Sequence, residues 1–518
     1  MSTAALMILG TASHVGKSIL TAALGRILAD EGHRVAPFKA QNMSLNSAAT
    51  PDGREIGRAQ ALQAEACRVA PRAEMNPVLI KPSNDSSAQV VVLGRVWGEV
   101  SALDYHQRRV EELFPLVLQA YRTLAAEHDV VLLEGAGSPA EINLKAHDIV
   151  NMRMAQAAGA ACLLVGDIDR GGVFASLLGT VELLDAAERA LLRGFVVNKF
   201  RGDVRLLQPG IDMIEQRIQL PCGGIVPYLP DLGLDEEDSV ALEETRRAPS
   251  AWKPRDHSSE RPLRVGVVKF PYLANFTDFD ALAAEPSVSL ALLNNPEELP
   301  EADLLILPGS KQTLDDLRWL RCSGFAAAIQ KFAGRVGVMG ICGGMQMMGA
   351  SIEDPQGAEN KGVPRADPGL ALLPIDTVLH AEKVTRMARG RVRTASLFGE
   401  PLAVPGFQGY EIHLGETAYA AGAQPFAEIQ RCGETTCRPD GVVSAGRRAF
   451  GTYIHGLFND DGFRHSFLSA ARAACGLDPL EEKVFVHAER EQRIDRLAHH
   501  VRRALDMDLI HACLGVKS

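Results

Sequence analysis

The stretch AALMILGTASHVGKS, residues 4–18, decides the fold of the first half of the chain. An apolar run at 4–9 leads into a glycine-rich turn, and Lys17 and Ser18 then open a segment whose apolar residues recur at helical spacing. A strand, such a turn and a Lys-Ser pair at a helix start are typical of a phosphate-binding loop with the pattern G-x-x-x-x-G-K-[ST]. Five residues separate Gly10 from Gly16 here, so the stretch predicts a slightly long nucleotide-binding loop.

The Mg²⁺ that accompanies ATP needs oxygen ligands, and the sequence offers several. Loop N–H groups and the helix start attract phosphate, so we expect Lys17 to reach the terminal phosphates and Ser18 to ligate the metal. Glu134 ends the apolar run VVLLE, a position where ligands gather in open α/β sheets. Asp52 and Glu55 in TPDGREIG are further candidates, although ordinary turn chemistry explains them equally well.

Apolar runs alternate with helical patterns on both sides of a break in the chain. Continuous apolar strands between amphipathic helices predict parallel sheets and an α/β fold class. The expected strands are residues 4–9, 34–38, 130–133, 161–165, 194–197, 263–268, 303–307 and 335–339. The break begins near residue 231 as a charged stretch and continues as a segment rich in Pro and Ser. We therefore predict a nucleotide-binding domain at 1–245, a linker at 246–262, a second α/β domain at 263–470 and a helical tail at 471–518.

The length, charge and composition of the chain limit the kinds of function that it can have. At roughly 100–200 residues per domain, the 518-residue chain has room for two to four domains. Its net charge of −10 disfavours nucleic acid and anionic membrane as partners. No run reaches the ~18 apolar residues of a membrane span, and the apolar start lacks the basic flank of a signal peptide. The nine cysteines contain no C-x-x-C pair, so we expect no structural metal site and a reducing, cytoplasmic location.

The segment VGVMGICGGMQMMG, residues 336–349, predicts a second active centre. A β-rich run ends at Gly340, Cys342 follows, and two glycines precede a Met-rich helical pattern. A strand, a tight turn that carries the nucleophile and a helix form a nucleophile elbow, and the helix N-terminus favours a thiolate. Gly343 is the expected oxyanion donor through its backbone N–H, and Gly309 in LLILPGSK is the expected second donor.

A cysteine nucleophile needs a histidine that is close in space rather than in sequence. His455 follows an apolar, aromatic strand in FGTYIHGLF. His413 in GYEIHLGE competes for the same role. We favour His455 as the catalytic base and Cys342 as the nucleophile.

The nucleotide loop resembles that of dethiobiotin synthetase, G-T-x-x-x-V-G-K-[ST], in which ATP activates a substrate carboxylate. This resemblance adds Thr11 to the loop residues, and VVLLEGAGS resembles the E-G-A-G segment of the same group. It also implies that Asn198 in VVNKFRGD contacts adenine. Partition-type ATPases carry a signature lysine where this chain has Ala12, which weakens a positioning-ATPase interpretation.

The second half resembles class I glutamine amidotransferase domains, through P-G-S, the G-x-C-G-G elbow and a late G-x-x-x-H-G. In that family the cysteine attacks the glutamine amide, the histidine takes part in proton transfer, ammonia leaves, and the thioester is hydrolysed. Many members carry Glu two residues after the histidine, where this chain has Leu457. The cobyrinate-amidating branch lacks that Glu as well. The fold implied is a flavodoxin-like domain behind a P-loop domain of the dethiobiotin synthetase type.

Several longer blocks resemble the cobyric acid synthase family over nearly the full chain. These blocks are KAQNMSLNS (39–47), DGREIGRAQALQAEA (52–66), NPVLIKP (76–82), DIDRGGVFASLLGT (167–180), NKFRGD (198–203), GYEIHLGET (409–417) and GTYIHGLF (451–458). The resemblance implies ATP- and glutamine-dependent amidation of the b, d, e and g carboxylates of adenosylcobyrinic acid a,c-diamide, which gives adenosylcobyric acid. The spacing of residues alone supports only glutamine-fed amidation of a carboxylate.

The implied ligands are ATP with Mg²⁺, glutamine and a corrinoid, with no other bound metal, and the oligomeric state stays open. Two alternatives compete with this interpretation. One is cobyrinic acid a,c-diamide synthase, which shares both domains but not the block KAQNMSLNS…GRAQALQAEA. The other is a non-enzymatic, regulatory P-loop ATPase with an inactive amidase domain, against which the intact Cys342 and His455 argue.

Overall fold

The computed structural model of the chain describes residues 3–82, 87–101, 105, 109–230, 232–234, 258–335, 337–360, 362–404, 406–479 and 482–516. The chain divides into two compact units. Unit 1 comprises Met1–Ser44, Glu55–Glu237 and Arg490–Ser518, and unit 2 comprises Leu45–Arg54 and Asp238–Glu489. The part of the predicted linker at 246–257 lies outside the described residues.

Unit 1 is built on a six-stranded sheet in which all neighbouring strands are parallel. The strands, in order across the sheet, are Cys222–Pro227, Leu192–Phe200, Ala161–Asp167, Ala4–Gly10, Val130–Glu134 and Val35–Phe38. The central strands are apolar up to their last residues and buried on both faces, which is the pattern of a sheet covered by helices. The predicted parallel sheet of the first half is confirmed.

Helices and a smaller sheet complete unit 1. Its helices are Lys17–Asp30, Arg58–Ala66, Phe114–Glu127, Met152–Ala158, Val173–Leu183, Ala186–Arg189, Val204–Ile218, Met507–Leu514 and the part of Val486–Ala504 from Arg490 onward. Shorter turns are the 3₁₀ helices Ala73–Met75 and Lys145–His147 and the π-helical turn Arg109–Leu113. The smaller sheet has the order Gln41–Met43, Val78–Pro82, Ser87–Val92 and Arg95–Ser101, and Glu55–Gly57 is a further short strand.

The C-terminal helices share a hydrophobic core with the six-stranded sheet of unit 1. Ile494, Leu497, Ala498 and Val501 recur at the spacing of one helix face, and all four are buried in the same core as the first strand. The end of the chain is therefore part of unit 1, although it follows the second α/β domain in sequence.

Unit 2 carries a second sheet, whose strands are parallel except for one short edge strand. The order is Val288–Leu293, Leu263–Val268, Leu304–Leu307, Gly337–Ile341, Ala449–Thr452 and the antiparallel Val442–Val443. The three strands expected in the second half all lie in this sheet. The predicted α/β fold class is confirmed for both halves of the chain.

A mostly antiparallel sheet stands beside it in unit 2. Its path runs Arg365–Pro368, Ser351–Asp354, Ile375–Val392, Phe407–Tyr419 and Ile454–His455, with Ala427–Arg431 and Cys437–Asp440 as a branch. Further short strands are Ser47–Ala49, Ser396–Leu397 and Glu400–Pro401. The helices are Asp280–Ala283, Thr313–Cys322, Phe325–Phe332, Gly343–Met348 and Asp461–Ala474, with 3₁₀ turns Phe276–Phe279, Pro296–Glu301 and Leu457–Asn459.

Candidate functional site

The nucleotide loop joins the strand Ala4–Gly10 to the helix that begins at Lys17. Gly16 adopts a left-handed φ of 97°, and a β-carbon there would lie 2.2 Å from the side-chain nitrogen of Asn198. Only glycine fits such a position. Asn198 Nδ2 donates a hydrogen bond to the backbone oxygen of Val15 at 2.8 Å. The strand end that carries Asn198 therefore holds the loop in shape.

The side chain of Lys17 hydrogen-bonds backbone oxygens of the loop and of the segment after the strand Val130–Glu134. Lys17 Nζ donates to the backbone oxygens of Ala12 at 2.9 Å and Gly137 at 3.1 Å. Thr11 N donates to Val165 O at 2.9 Å, which ties the start of the loop to the neighbouring strand. All six residues predicted to bind the nucleotide thus belong to this one region: Gly10, Thr11, Gly16, Lys17, Ser18 and Asn198.

Glu134 is the centre of a buried polar cluster at the end of its strand. Ser18 Oγ donates to Glu134 Oε1 at 2.8 Å, so two of the predicted Mg²⁺ ligands meet directly. Lys39 Nζ lies 2.9 Å from the same oxygen, and Gln63 Nε2 donates to Oε2 at 2.6 Å. Glu134 is 1% exposed, so its charge is compensated inside the protein by these donors.

The two other acidic candidates have different surroundings. Asp52 belongs to unit 2 and accepts hydrogen bonds from Thr50 and Arg54. Burial acts to raise the pKa of Asp52, but these two partners outweigh it and lower the pKa below its ordinary value. Glu55 in unit 1 forms a buried ion pair with Lys81. Within the residues that the structure describes, no three His, Cys, Asp or Glu side chains form a metal-binding group.

Cys342 sits at a strained turn in unit 2. It follows the strand Gly337–Ile341 and precedes the helix Gly343–Met348, with φ 52° and ψ −114°, a conformation that non-glycine residues rarely adopt. Its backbone N–H donates to Thr452 O at 2.8 Å, and its Sγ lies 3.4 Å from Ile412 O. Strand, strained cysteine and helix are the geometry of the predicted nucleophile elbow.

Both expected oxyanion donors lie beside the elbow. A β-carbon at Gly343 would stand 3.1 Å from Ser310 N, and one at Gly309 would stand 3.0 Å from His455 Cε1. Three parts of unit 2 therefore meet at one place: the turn after the strand Leu304–Leu307, the elbow at Cys342, and His455. Backbone N–H groups at such a point can stabilise the oxyanion of a tetrahedral intermediate.

His455 is buried next to the thiol. Its Nδ1 lies 2.7 Å from Asp278 Oδ2, its ring stacks on Tyr410 with centroids 5.5 Å apart, and it hydrogen-bonds Cys342. Burial acts to lower its pKa, but the charges of Asp278 and Cys342 outweigh burial and raise the pKa to about 10. The imidazolium form is therefore favoured, as a thiolate–imidazolium pair requires.

His413, the competing histidine, has other partners. Its Nε2 lies 3.3 Å from Glu411 Oε1, and its ring stacks on Tyr453 with centroids 3.8 Å apart. Arg431 makes two hydrogen bonds to the same Glu411. Burial acts to raise the pKa of Glu411, but Arg431 and His413 outweigh it and lower the pKa to about 2. This histidine is thus held in a charged cluster of its own.

Three polar residues near the two candidate sites were not predicted from the sequence: Lys39, Gln63 and Asp278. Lys39 and Gln63 lie in blocks quoted only for their resemblance, and Lys39 directly follows the strand Val35–Phe38, which neighbours the strand of Glu134. That strand-end position was the available signal for Lys39. Asp278 lies in the 3₁₀ turn Phe276–Phe279, 177 residues before His455. No sequence pattern around it indicated a role beside the histidine.

Each half of the chain matches the model of a known protein domain. Residues 6–240 match the model of the CobQ/CobB/MinD/ParA nucleotide binding domain, and residues 264–463 match that of the CobB/CobQ-like glutamine amidotransferase domain. In the described part of the chain, no helix is both long and apolar enough to cross a membrane.

Curated relatives are similar over almost their whole length. A cobyric acid synthase of Moorella thermoacetica is 47% identical over 99% of this chain and 98% of its own. Those of Syntrophobacter fumaroxidans and Sorangium cellulosum are each 46% identical, over 99% and 100% of this chain and 98% and 99% of their own. Identity at this level over both domains shows common family membership. This chain belongs to the cobyric acid synthase family.

Proposed function

We propose that the protein amidates the b, d, e and g carboxylates of adenosylcobyrinic acid a,c-diamide, with ATP and glutamine, to give adenosylcobyric acid. The proposal rests on one observation. A single chain of this family contains a nucleotide loop whose Ser18 contacts Glu134 and a cysteine elbow whose Cys342 contacts His455. The relatives' name favours this reaction over that of a cobyrinic acid a,c-diamide synthase, and the presence of a cysteine elbow beside a histidine disfavours a purely regulatory ATPase.

Unit 1 would activate the carboxylate. A carboxylate oxygen attacks the γ-phosphorus of ATP, the bond to the β,γ-bridging oxygen breaks, and an acyl phosphate and ADP form. Lys17 and the loop N–H groups would bind and orient the phosphates during this transfer. Ammonia then attacks the acyl carbon, loses a proton and expels phosphate, which gives the amide.

The buried polar cluster fits a magnesium ion. Ser18 Oγ and Glu134 Oε1 are oxygen atoms 2.8 Å apart at a helix start, which is the donor chemistry that Mg²⁺ prefers. These two residues would hold the ion, which neutralises phosphate charge when bound. Asp52 stays a predicted third ligand, although its hydrogen bonds to Thr50 and Arg54 give it another role in this structure. Asn198 stays the predicted adenine contact.

Unit 2 would release the ammonia. The Cys342 thiolate attacks the side-chain amide carbon of glutamine, and the N–H groups of Gly343 and Gly309 would stabilise the resulting oxyanion. His455 gives its proton to the leaving ammonia, a thioester remains, and water hydrolyses it to glutamate and the free thiol. Because ammonia is mostly ammonium at neutral pH, its release inside the protein keeps it nucleophilic. The nine free cysteine thiols support a reducing, cytoplasmic location for this chemistry.

The test is amidation by two active-site variants with two nitrogen sources. We expect Cys342→Ala to lose amidation of the corrin diamide with glutamine and to keep it with ammonium salt. Lys17→Ala should lose amidation with both sources and keep the hydrolysis of glutamine to glutamate. Amidation with glutamine by Cys342→Ala would refute the nucleophile assignment. Failure of the wild-type protein to amidate the diamide with either source would refute the substrate assignment.

A further inference from the structure

The glutaminase site of this chain lacks an acid at the position two residues after its histidine, where many related amidotransferases carry Glu. A histidine that serves a cysteine or serine nucleophile is normally held by a carboxylate on Nδ1, which fixes the ring orientation and the tautomer. Two residues after His455 the chain has Leu457, which is 1% exposed and packed in the core of unit 2. Any acid that holds His455 must therefore come from another part of unit 2.

Asp278 occupies the place where such an acid is needed. Its Oδ2 accepts from His455 Nδ1 at 2.7 Å, and its Oδ1 accepts from the backbone N–H of Gly456 at 2.8 Å. One carboxylate thus binds both the ring and the backbone of the next residue. Because Asp278 and His455 are 3% and 1% exposed, water does not compete with this pair.

The segment around Asp278 is itself held in place. Asp278 lies in the 3₁₀ turn Phe276–Phe279, which begins after Asn275, a residue in the left-handed region at φ 52°. Asn275 Nδ2 lies 3.4 Å from both ring nitrogens of His455, and its Oδ1 accepts from Ser47 N at 3.2 Å. Asn46 Oδ1 in turn accepts from Phe276 N at 3.2 Å. The two residues at the start of this turn, Asn275 and Phe276, are therefore held by side-chain hydrogen bonds.

We propose that Asp278 is the positioning residue of the glutaminase site and replaces the missing acid of the usual triad from a different loop. The inference rests on the proposed role of Cys342 and His455 in glutamine hydrolysis. With Nδ1 engaged by Asp278, Nε2 is the ring nitrogen that serves the thiol of Cys342. Asp278 does not touch the substrate; it fixes the ring and stabilises its cationic form when the thiolate forms.

The first experiment replaces Asp278 by its uncharged isostere. Asp278→Asn retains an oxygen for Gly456 N–H, but its amide faces Nδ1 without a charge and favours the wrong tautomer. We expect kcat for glutamine hydrolysis to fall on the order of 100- to 10,000-fold. KM for glutamine and amidation with ammonium salt should stay within about threefold of the wild type. The matched control is Asp280→Asn, an exposed carboxylate two residues further on, which should leave both activities unchanged.

The second experiment measures the protonation state of His455 directly and does not depend on catalytic turnover. In ¹⁵N-histidine-labelled protein, the signal of His455 is identified by its loss in His455→Gln. The titratable groups that face it are Asp278, Cys342 and Tyr410. The wild-type ring should stay cationic well above pH 7, because the charges of Asp278 and Cys342 raise its pKa to about 10. In Asp278→Asn the same signal should titrate several pH units lower.

Unchanged His455 signals in Asp278→Asn, or glutamine hydrolysis within threefold of the wild type, would overturn the proposal. So would an equal loss of glutamine- and ammonia-dependent amidation, since that pattern indicates damage to the fold. A failure of the proposed substrate assignment looks different. In that case the wild-type protein releases glutamate from glutamine but forms no corrin amide, and the effect of Asp278→Asn is still read from glutamate and from the histidine signal.

Discussion

We expect Gly344→Ala to disable the cysteine elbow. The new methyl group would clash with backbone atoms, which cannot move aside as a flexible side chain can. A β-carbon at this position would lie 2.0 Å from Leu307 O and 2.7 Å from Pro308 O, both of which are backbone atoms. Ordinary van der Waals contact begins at 3.4 Å, so the elbow and the strand end must separate by about 1.4 Å. The elbow and the loop of Gly309 are the two parts that would form the oxyanion site.

Two opposing effects decide the size of the change. Alanine is better than glycine in a helix by about 1 kcal/mol, which favours the variant. Overpacking in a dense core costs about 1–3 kcal/mol, and misplacement of a catalytic group by about 1 Å costs about 100-fold in rate. We therefore expect a small loss of stability and a decrease in kcat for glutamine hydrolysis of about 100-fold. In energy this is roughly 2.7 kcal/mol of transition-state stabilisation.

The assay measures glutamate release and, separately, amidation with ammonium salt. Only the glutamine-dependent reactions should fall, because Gly344 lies in unit 2. The matched control is Gly446→Ala, also in unit 2, where a new β-carbon would meet no atom within 4 Å; it should behave like the wild type. Glutamine hydrolysis by Gly344→Ala within threefold of the wild type would show that the elbow does not need this close approach, and would refute the reasoning.

Two further predictions concern single side chains. Asn198→Ala removes the 2.8 Å hydrogen bond to Val15 O, a loss of about 0.5–1.5 kcal/mol. KM for ATP should rise about 2- to 12-fold with either nitrogen source while glutamine hydrolysis is unchanged; an unaltered KM would contradict the loop-holding role. Arg431→Met should lower the free energy of unfolding at pH 7 by up to about 3 kcal/mol, since the pKa of Glu411 lies at about 2, below its ordinary 4.5. That stabilisation is present above pH 4.5 and is lost as the pH falls towards 2, so urea unfolding of variant and wild type should converge over this range; a constant difference would contradict the ion-pair explanation.

Periodicity and local sequence signals were sufficient to predict the sheets and the strand–turn–helix geometry around Lys17 and Cys342. Residues 263–268 are apolar except for Arg264, and the strand Leu263–Val268 forms there with the predicted bounds. Cys342 was found because an elbow needs neighbouring glycines, which are local in sequence. Glu134 was found because it ends a buried strand. Each of these signals lies within a few residues of the group it identifies.

The partners of these groups could not be predicted in the same way. Lys39 and Glu134 are 95 residues apart, and Asp278 and His455 are 177 apart. Each pair is brought together by the topology, so neither partner leaves a pattern near the other. Asp278 lies in a short 3₁₀ turn without apolar periodicity, where an aspartate is usually explained by turn chemistry. Buried charge pairs of high sequence separation are therefore found only when the fold is known.

The block KAQNMSLNS shows why one motif cannot be assigned to one domain by its position in the chain. Lys39 and Asn42, at its start, lie in unit 1, where Lys39 contacts Glu134 and Asn42 donates to Gln60. Asn46 and Ser47, at its end, lie in unit 2 and bond the segment that carries Asp278.

Tyr410, whose ring stacks on His455, donates a further hydrogen bond to Ser47 O at 3.3 Å. Residues 45–54 thus supply hydrogen bonds around His455 and Asp278, although the chain on both sides of them belongs to unit 1. The nine-residue block KAQNMSLNS therefore supplies contacts to the core polar groups of both units, each within its own unit.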